Sequence, residues 1–182
     1  MKTIKKLHSQ NGTASEAVYS PCERYRYSLT RVWNPAAKRL LFVMLNPSKA
    51  TEVANDPTVE RCERRARRLG YGAMRVCNIF AWRETHPDRL RKTKRPVGPL
   101  NDAALTEAGE WADHVLCAWG AHGNHRGQGQ RVAKLLTGCS VPLFALGETK
   151  AGHPRHPLYI SYDTPLRRWV AEIDEVKLPS TS

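Results

Sequence analysis

Four short apolar runs, each followed by a segment of helical periodicity, constrain the fold of this chain more than any other feature. The runs occupy residues 39–45, 73–82, 114–120 and 141–147, and the helical segments occupy residues 56–72, 101–113, 126–138 and 164–173. Strands that alternate with helices are typical of a largely parallel sheet with helices on both faces. We therefore predict an α/β fold: a three-layer sandwich around a central, mainly parallel sheet of four strands.

The first helical segment and the strand before the first apolar run have the clearest boundaries. Residues 25–33 alternate with period two and lead through a short turn into residues 39–45, which predicts two strands joined by that turn. Asp56 and Pro57 suit the start of a helix, and Gly70 suits its end. Arginines occupy most of the helix face opposite its apolar positions, and we expect that face to be solvated.

The composition indicates one globular domain that binds a polyanion. The 182 residues include 29 Lys and Arg against 17 Asp and Glu, a net charge of +12, which favours DNA or RNA as the partner. We expect residues 1–16 to be a flexible segment and residues 17–176 to form the domain. We predict no membrane contact, because no apolar stretch approaches the roughly 18–20 residues of a membrane span and the N-terminal segment has no signal-peptide core. Five scattered cysteines without a Cys-x-x-Cys pair favour the reducing cytoplasm.

Polar residues follow the first apolar run, at the edge where open parallel sheets bind ligands. Asn46 can hold a water or a base edge, and Ser48 and Lys49 can contact a phosphate. Asp56 can activate a water. The competing interpretations are an ordinary Asn-Pro turn at Asn46 and Pro47, and a helix N-cap at Asp56.

The second apolar run and the basic loop after it supply candidates for binding a base and phosphates. Asn78 can read the edge of a nucleobase, or it is a structural amide. Phe80 or Trp82 can stack on a base, and core packing is the alternative for either aromatic. The loop of residues 83–95 is rich in Arg and Lys and is a candidate phosphate-binding surface.

The sequence Gly-His-Pro-Arg-His-Pro-Leu-Tyr at residues 152–159 is the most specific local feature. Because the prolines fix this loop, His153 or His156 can be held rigidly toward a ligand, and a neutral imidazole donor can stabilise an oxyanion. A metal site that pairs these two with His122 and His125 lacks a Cys or carboxylate partner at a suitable spacing. We therefore predict no metal and no cofactor.

Three of these segments resemble, in order, the motifs of the uracil-DNA glycosylase superfamily. "MLNPS" is similar to its water-positioning Gly-x-Asn-Pro motif, and "CNIF" to the strand whose Asn reads a pyrimidine. "VLCAWG" and "AGHPRHPL" are similar to its Leu-Trp-Gly strand and its His-Pro-Ser-Pro-Leu loop. More closely, the chain resembles a bacterial and phage family known as domain of unknown function 1643, through "SPCERYRY", "MLNPSKA", "NDPTVERC" and "GHPRHPLY" over roughly residues 17–160.

The glycosylase resemblance implies a fold of that type and a role for several of the candidate residues. Asn46 would position the water that attacks the sugar, and Asn78 would read the base edge. His153 would stabilise the departing base, although an additional residue in the loop leaves His156 as the alternative. The candidate phosphate and DNA contacts are Pro47, Ser48, Lys49, Arg83, Arg91, Lys92, Arg155, His156 and Leu158, the last near the minor-groove wedge.

The sequence therefore predicts a monomeric, cytoplasmic DNA glycosylase that hydrolyses the N-glycosidic bond of a flipped base without a metal. The base would be uracil-like, damaged or modified, including a bulky modified phage base. Two alternatives stay open. One is a non-catalytic reader of modified nucleotides in DNA or RNA, and the other is a hydrolase of free nucleosides or nucleotides.

Overall fold

A computed structural model describes residues 2–171 and contains one mixed sheet of eight strands and four α-helices. The strands are β1 (Ile4–Gln10), β2 (Thr13–Tyr19), β3 (Arg26–Val32), β4 (Arg39–Met44), β5 (Ala73–Asn78), β6 (His114–Cys117), β7 (Leu143–Ala145) and β8 (Arg167–Arg168). The helices are α1 (Pro57–Arg68), α2 (Pro87–Lys92), α3 (Asn101–Trp111) and α4 (Gln128–Thr137), with short 3₁₀ segments at Ala121–Gly127 and Pro157–Tyr159. Within residues 2–171 no helix is both long and apolar enough to cross a membrane.

The strand order is β1-β2-β3-β5-β4-β6-β7-β8. Strand β4 pairs in parallel with β5 and β6, and β6 pairs in parallel with β7. Strands β1, β2 and β3 form an antiparallel meander that joins β5, and β8 closes the other edge against β7. The mixed α/β class agrees with the sequence prediction, but the sheet has eight strands rather than four.

The N-terminal strands correct the expectation of a flexible segment over residues 1–16. Strands β1 and β2 pair along their whole length, from Ile4 opposite Tyr19 to Gln10 opposite Thr13. The two residues between them, Asn11 and Gly12, have φ values of 50° and 73°. An Asn-Gly pair with positive φ at both positions is the preferred two-residue hairpin turn. This local signal was present in the sequence and predicts the hairpin.

Strands β3 and β4 follow each other across a short turn, as predicted, but they are not neighbours in the sheet. Strand β5 lies between them, antiparallel to β3 and parallel to β4. The turn after β3 packs on Gly72, whose carbonyl accepts from the backbone N–H groups of Trp33 and Asn34. A Cβ on Gly72 would lie 1.9 Å from the Asn34 carbonyl oxygen, so only glycine permits this approach.

Each face of the sheet is covered by helices, because β4 is apolar on both sides. Leu40 and Phe42 belong to a core that includes the apolar stripe of α1. Leu41 and Val43 belong to a second core that includes α3 and α4. The near-continuous apolar run of β4 therefore reflects a strand buried on both faces. Its carboxyl end opens between the two layers.

The C-terminal part of the described chain does not form the helix predicted for residues 164–173. Residues 167–168 instead pair antiparallel with β7, which would otherwise be an open sheet edge. Trp169 packs edge-on against Trp119, and its indole N–H donates to the carboxylate of Glu148 at 2.8 Å. The end of the predicted helix and residues 172–176 of the predicted domain lie outside the described residues.

Helix α1 also departs from the expectation of a solvated arginine face. Arg65 is buried, and its guanidinium donates to four backbone carbonyls of the segment after the second His-Pro pair. The acceptors are the carbonyls of Ile160 at 3.1 Å, Ser161 at 2.8 Å, Tyr162 at 3.5 Å and Thr164 at 3.3 Å. Arg61 donates to the carbonyls of Pro157 and Ile160. These two arginines attach the His-Pro loop to α1.

Replacing Arg65 with Ala should lower the free energy of unfolding by about 3 kcal/mol, because several charge-assisted hydrogen bonds in a buried setting are lost together. Urea unfolding measures this change. The matched control is Arg64→Ala on the same helix, where an exposed i,i+4 pair with Glu60 is lost and the expected change is below about 0.5 kcal/mol. Equal effects of the two substitutions would contradict the role given to Arg65.

Candidate functional site

A pocket of about 470 Å³ lies at the carboxyl ends of β4 and β6, between the two core layers. Its size falls within the roughly 300–1,000 Å³ that is usual for small-molecule sites. Four chain segments line it, at residues 44–48, 56–59, 84–87 and 119–122, together with three separate side chains, Arg26, His156 and Leu158. Parallel sheets place ligands at this edge because the loops that leave neighbouring strands meet there.

Asn46 is held in place by the loop that follows β5. Its Nδ2 group donates to the carbonyl of Glu84 at 2.6 Å and to that of Pro47 at 3.1 Å, and lies 3.4 Å from that of Trp82. The amide hydrogens are therefore committed to backbone acceptors. The oxygen Oδ1 stays available as an acceptor on a fixed side chain that lines the pocket. Asn46 is thus both a structural amide and a candidate ligand group.

Asp56 also has a structural role. Its Oδ1 accepts from the backbone N–H of Val59 at 2.9 Å, which is the N-cap bond of α1. Its Oδ2 accepts from the N–H of Ala50 at 3.2 Å, and this bond holds the loop after β4. Each carboxylate oxygen keeps a second lone pair. The N-cap interpretation of Asp56 is confirmed, and the same carboxylate lines the pocket.

The two His-Pro histidines occupy different cavities. His156 lines the pocket with Asn46 and Asp56. His153 lines a separate cavity of about 130 Å³ with Trp119 and Glu148. The structure therefore brings together Asn46 and His156, the second of the two histidines that the sequence left as candidates.

The environment of His156 favours a neutral ring with a defined tautomer. Burial lowers the pKa of His156, and the nearby Asp56 carboxylate opposes this shift. The backbone N–H of Leu158 donates to Nδ1 at 3.4 Å, which assigns the ring hydrogen to Nε2. His156 can therefore act as a neutral N–H donor near pH 7.

Arg26 was not among the candidates and is the most unusual member of the pocket lining. It is the first residue of β3, has a relative exposure of 1%, and lines the pocket. Burial lowers the pKa of Arg26 to about 10, and the nearby Tyr19 and Asp56 oppose this shift. Alternation in residues 25–33 placed Arg26 on a polar face. Because β3 is buried along nearly its whole length, that face is interior too.

The predicted base-binding residues pack into the protein interior. Asn78 has a relative exposure of 1%, and neither side-chain Nδ2 nor Oδ1 has a partner among residues 2–171. Phe80 belongs to the second core and packs against His125. Trp82 packs edge-on against Tyr25. These contacts match the core-packing alternative for the two aromatic residues.

The predicted phosphate contacts are spread over the pocket and its surroundings. Ser48 and Leu158 line the pocket, and the Pro47 carbonyl accepts from the N–H of Glu84. Arg91 donates to Nδ1 of His122 at 3.0 Å, and His122 lines the pocket, so Arg91 is at its rim. Three more of the predicted phosphate contacts have exposed side chains: Lys49, Lys92 and Arg155.

Arg83 has a different environment from the other predicted phosphate contacts. Its guanidinium donates to the carbonyl of Glu23 at 3.1 Å and lies 5.3 Å from the ring centre of Tyr19. Its Nε has no partner within residues 2–171. Arg83 is therefore half-buried against the sheet rather than free on the surface.

No group of three or more His, Cys, Asp or Glu side chains that could hold a metal occurs within residues 2–171. Among the thiols, Cys62, Cys77 and Cys117 are buried, and burial raises the pKa of each. These three read as small core residues. The polar groups that line the pocket include amide, carboxylate, imidazole, guanidinium and hydroxyl groups.

The chain is a mixed α/β protein with a pocket, and thus a candidate ligand site, at the carboxyl edge of its parallel strands. The chain belongs to the family described as protein of unknown function (DUF1643), whose model matches residues 26–158. The matched range begins at Arg26 and ends at Leu158, and both residues line the pocket. No curated protein and no solved structure matches the chain.

Replacing His156 with Gln should reduce the loss of stability in acid. Because the folded-state pKa of His156 is lowered, the unfolded chain binds the proton more readily, and stability falls as the pH drops below about 6.5. His114 and His125, whose pKa values are also lowered by burial, keep part of this dependence. The measurement is the difference in urea midpoint between about pH 7.5 and about pH 5.5.

The control for this prediction is His8→Gln on the edge strand β1. His8→Gln should keep the full acid dependence of the wild-type protein. If His156→Gln also keeps it, His156 does not have the buried, neutral state described above.

Proposed function

We propose that this protein is a DNA N-glycosylase that hydrolyses the bond between a flipped base and its deoxyribose. The base is uracil-like, damaged or modified. The single observation that carries the proposal is the convergence of Asn46, Asp56 and His156 on one pocket at the carboxyl edge of the sheet. The glycosylase resemblance assigns water positioning to Asn46 and departure of the base to His153 or, as the alternative, His156, and Asp56 is the carboxylate that can activate the water.

The reaction assigned to this pocket needs a water on one side of the sugar and a donor near the base. The water oxygen forms a bond to C1′ of the sugar while the bond from C1′ to the base nitrogen breaks. The electron pair of that bond leaves with the base, which becomes anionic. The Nε2–H of His156 donates a hydrogen bond to this anion and lowers the barrier. The proton of the attacking water passes to solvent or to the Asp56 carboxylate.

Asn46 and Asp56 divide the handling of the water. The fixed Oδ1 of Asn46 can accept a hydrogen bond from the water and orient it, but an amide oxygen does not take its proton at neutral pH. The Asp56 carboxylate has unused lone pairs beside its two backbone bonds. Its negative charge also favours the positive charge that develops on the sugar.

DNA rather than a free nucleoside is supported by charge. The net charge of +12 favours a polyanion, and Arg91 places a cation at the rim of the pocket through its bond to His122. A base within a duplex is out of reach, so flipping it into the pocket costs a few kcal/mol. Contacts to the flanking phosphates would offset that cost.

A base-release assay tests the proposal. Oligonucleotides carrying uracil, mismatched, hydroxymethylated and glucosylated bases are incubated with the protein, and abasic sites are counted. We expect release from at least one substrate, and a rate reduced about 10²–10³-fold in Asn46→Ala and in His156→Gln, as for loss of a single transition-state donor or water-positioning group. Asp56→Asn should reduce the rate while keeping an oxygen that can cap α1.

The matched control is His153→Gln, which changes the histidine in the neighbouring cavity. It should keep at least about half of the wild-type rate, since an effect within RT is expected for a group outside the site. Binding of modified DNA without release of any base would favour the non-catalytic reader and refute the enzyme. Equal loss in His153→Gln and His156→Gln would show that the wrong cavity has been assigned.

Salt dependence separates a DNA enzyme from a hydrolase of monomers. The affinity for a duplex should fall linearly with salt on a double logarithmic scale, with a slope set by the number of phosphates contacted. Substituting Arg91 with Gln should reduce that slope by about one. A flat salt response, together with release of base from free nucleosides, would favour the monomer hydrolase.

A further inference from the structure

The guanidinium of Arg26 is buried beside the pocket with few partners of its own. Its Nη1 donates to the carbonyl of Ala50 at 2.5 Å. Its Nε is buried and has no partner among residues 2–171. No carboxylate of the described chain lies within ion-pair distance of it, since Arg26 is in none of the ion pairs. One identified acceptor serves five N–H bonds.

The Asp56 carboxylate does not supply the missing acceptors. It is close enough to influence Arg26 electrostatically, but no hydrogen bond or ion pair joins the two side chains, and its oxygens accept from the backbone N–H groups of Val59 and Ala50. Ala50 thus joins the two residues through its own backbone, giving its N–H to Asp56 and its carbonyl to Arg26. The other charged group that influences Arg26 from nearby is the cation Arg83, which adds to the positive potential.

A buried cation without a counter-ion is unfavourable, because it loses its hydration without compensation. The other two buried arginines are better supplied. Arg65 has four carbonyl acceptors, and Arg31 donates to the carbonyl of Thr51 and to Oδ1 of Asn55. Arg26 alone of these three lines the 470 Å³ pocket. The missing acceptors of Arg26 are therefore expected from something that enters the pocket.

We propose that Arg26 forms an oxyanion subsite of the pocket, and that the molecule bound there presents a phosphate or carboxylate group to it. A guanidinium binds such groups in a bidentate manner, with two parallel N–H···O bonds. Binding of the oxyanion does not depend on catalysis. The proposal rests on the proposed function only in identifying the ligand as a nucleotide or a pyrimidine.

Two sources can bring an oxyanion to Arg26. One is the phosphate of a nucleotide, and the other is an acidic substituent on the base itself. The two make different predictions for small ligands. A phosphate source favours deoxyuridine monophosphate over deoxyuridine, whereas a base substituent favours a carboxylated pyrimidine such as orotate over uracil.

The test is calorimetric titration of the wild-type protein with inorganic phosphate, deoxyuridine monophosphate, deoxyuridine, orotate and uracil at constant ionic strength. We expect phosphate or orotate to bind. If phosphate is the source, deoxyuridine monophosphate should bind at least about tenfold more tightly than deoxyuridine; if a base substituent is the source, orotate should bind at least about tenfold more tightly than uracil. Arg26→Lys keeps the positive charge but loses the planar, bidentate guanidinium, and should lower the affinity for the anion at least about tenfold. Arg31→Lys, the matched buried control, should change the affinity less than about twofold.

Two outcomes would overturn the subsite. One is equal binding of anionic and neutral ligands by the wild-type protein. The other is unchanged anion affinity in a folded Arg26→Lys variant. If Arg26→Lys does not fold, crystals of wild-type protein grown with phosphate decide the question, because the proposal requires a tetrahedral ion within about 3 Å of an Arg26 nitrogen.

The outcomes of the two proposals can be told apart. Anion binding that depends on Arg26, without release of any base, would keep the subsite and refute the glycosylase. Base release that is the same in wild type and Arg26→Lys, with no anion bound, would keep the glycosylase and refute the subsite.

Discussion

The position of the His-Pro loop depends on the hydrogen bonds that Arg65 and Arg61 of α1 make to backbone carbonyls. The segment from Pro157 to Thr164 has only one short 3₁₀ turn of its own. Within it, the carbonyls of Pro157 and Ser161 accept from nearby backbone N–H groups, and the two guanidinium groups supply donors for five carbonyls of the segment. Because α1 also begins at Asp56, one helix fixes both Asp56 and the loop that carries His156.

Buried arginines are a recurring feature of this chain because they supply hydrogen-bond donors to loop carbonyls. Residues at the carboxyl edge of the sheet lie in loops, and loop carbonyls have no ladder to satisfy them. A guanidinium has five donors in a fixed plane and can bridge several carbonyls at once. Arg31 and Arg65 are used in this way. Arg26 is similarly buried but donates to a single identified carbonyl, that of Ala50, and its Nε has no partner among residues 2–171. Arg31 and Arg65 are therefore structural cations, whereas Arg26 has N–H groups that remain available to a ligand.

Local patterns of the sequence predicted the elements of the fold better than their arrangement. Apolar runs and the Asp-Pro start of α1 are short-range signals, and β4, β5, β6 and α1 lie where those signals occur. Strand order is a long-range property. Strand β5 lies between β3 and β4, and the chain passes close to Asn34 at Gly72 just before β5, an arrangement that no periodicity encodes. The N-terminal hairpin was missed although its Asn-Gly turn is a recognised local signal.

In the candidate site, too, local sequence signals indicated individual residues but not their arrangement in space. Sequence position at the end of an apolar run indicated Asn46, and the position of a carboxylate shortly after that run indicated Asp56, with the helix cap as the competing interpretation. The choice between His153 and His156 needed three dimensions, because prolines follow both and only the course of the loop directs one of them to the pocket. The sequence did not indicate Arg26, because a charged residue in an alternating strand normally faces solvent, whereas β3 is an inner strand between β2 and β5 and is buried along nearly its whole length.

Asn46 and Asp56 each combine a structural role with a candidate chemical role in the pocket. Both side chains first satisfy backbone groups, Asn46 as a donor to the carbonyls of the loop after β5 and Asp56 as an acceptor for two N–H groups. The groups that remain available on the two side chains are complementary. The Asn46 amide keeps one oriented oxygen, and the Asp56 carboxylate keeps its charge and further lone pairs. An amide without a proton to exchange therefore does not have to act alone. In the proposed reaction it fixes the water, while the carboxylate that caps α1 carries the charge.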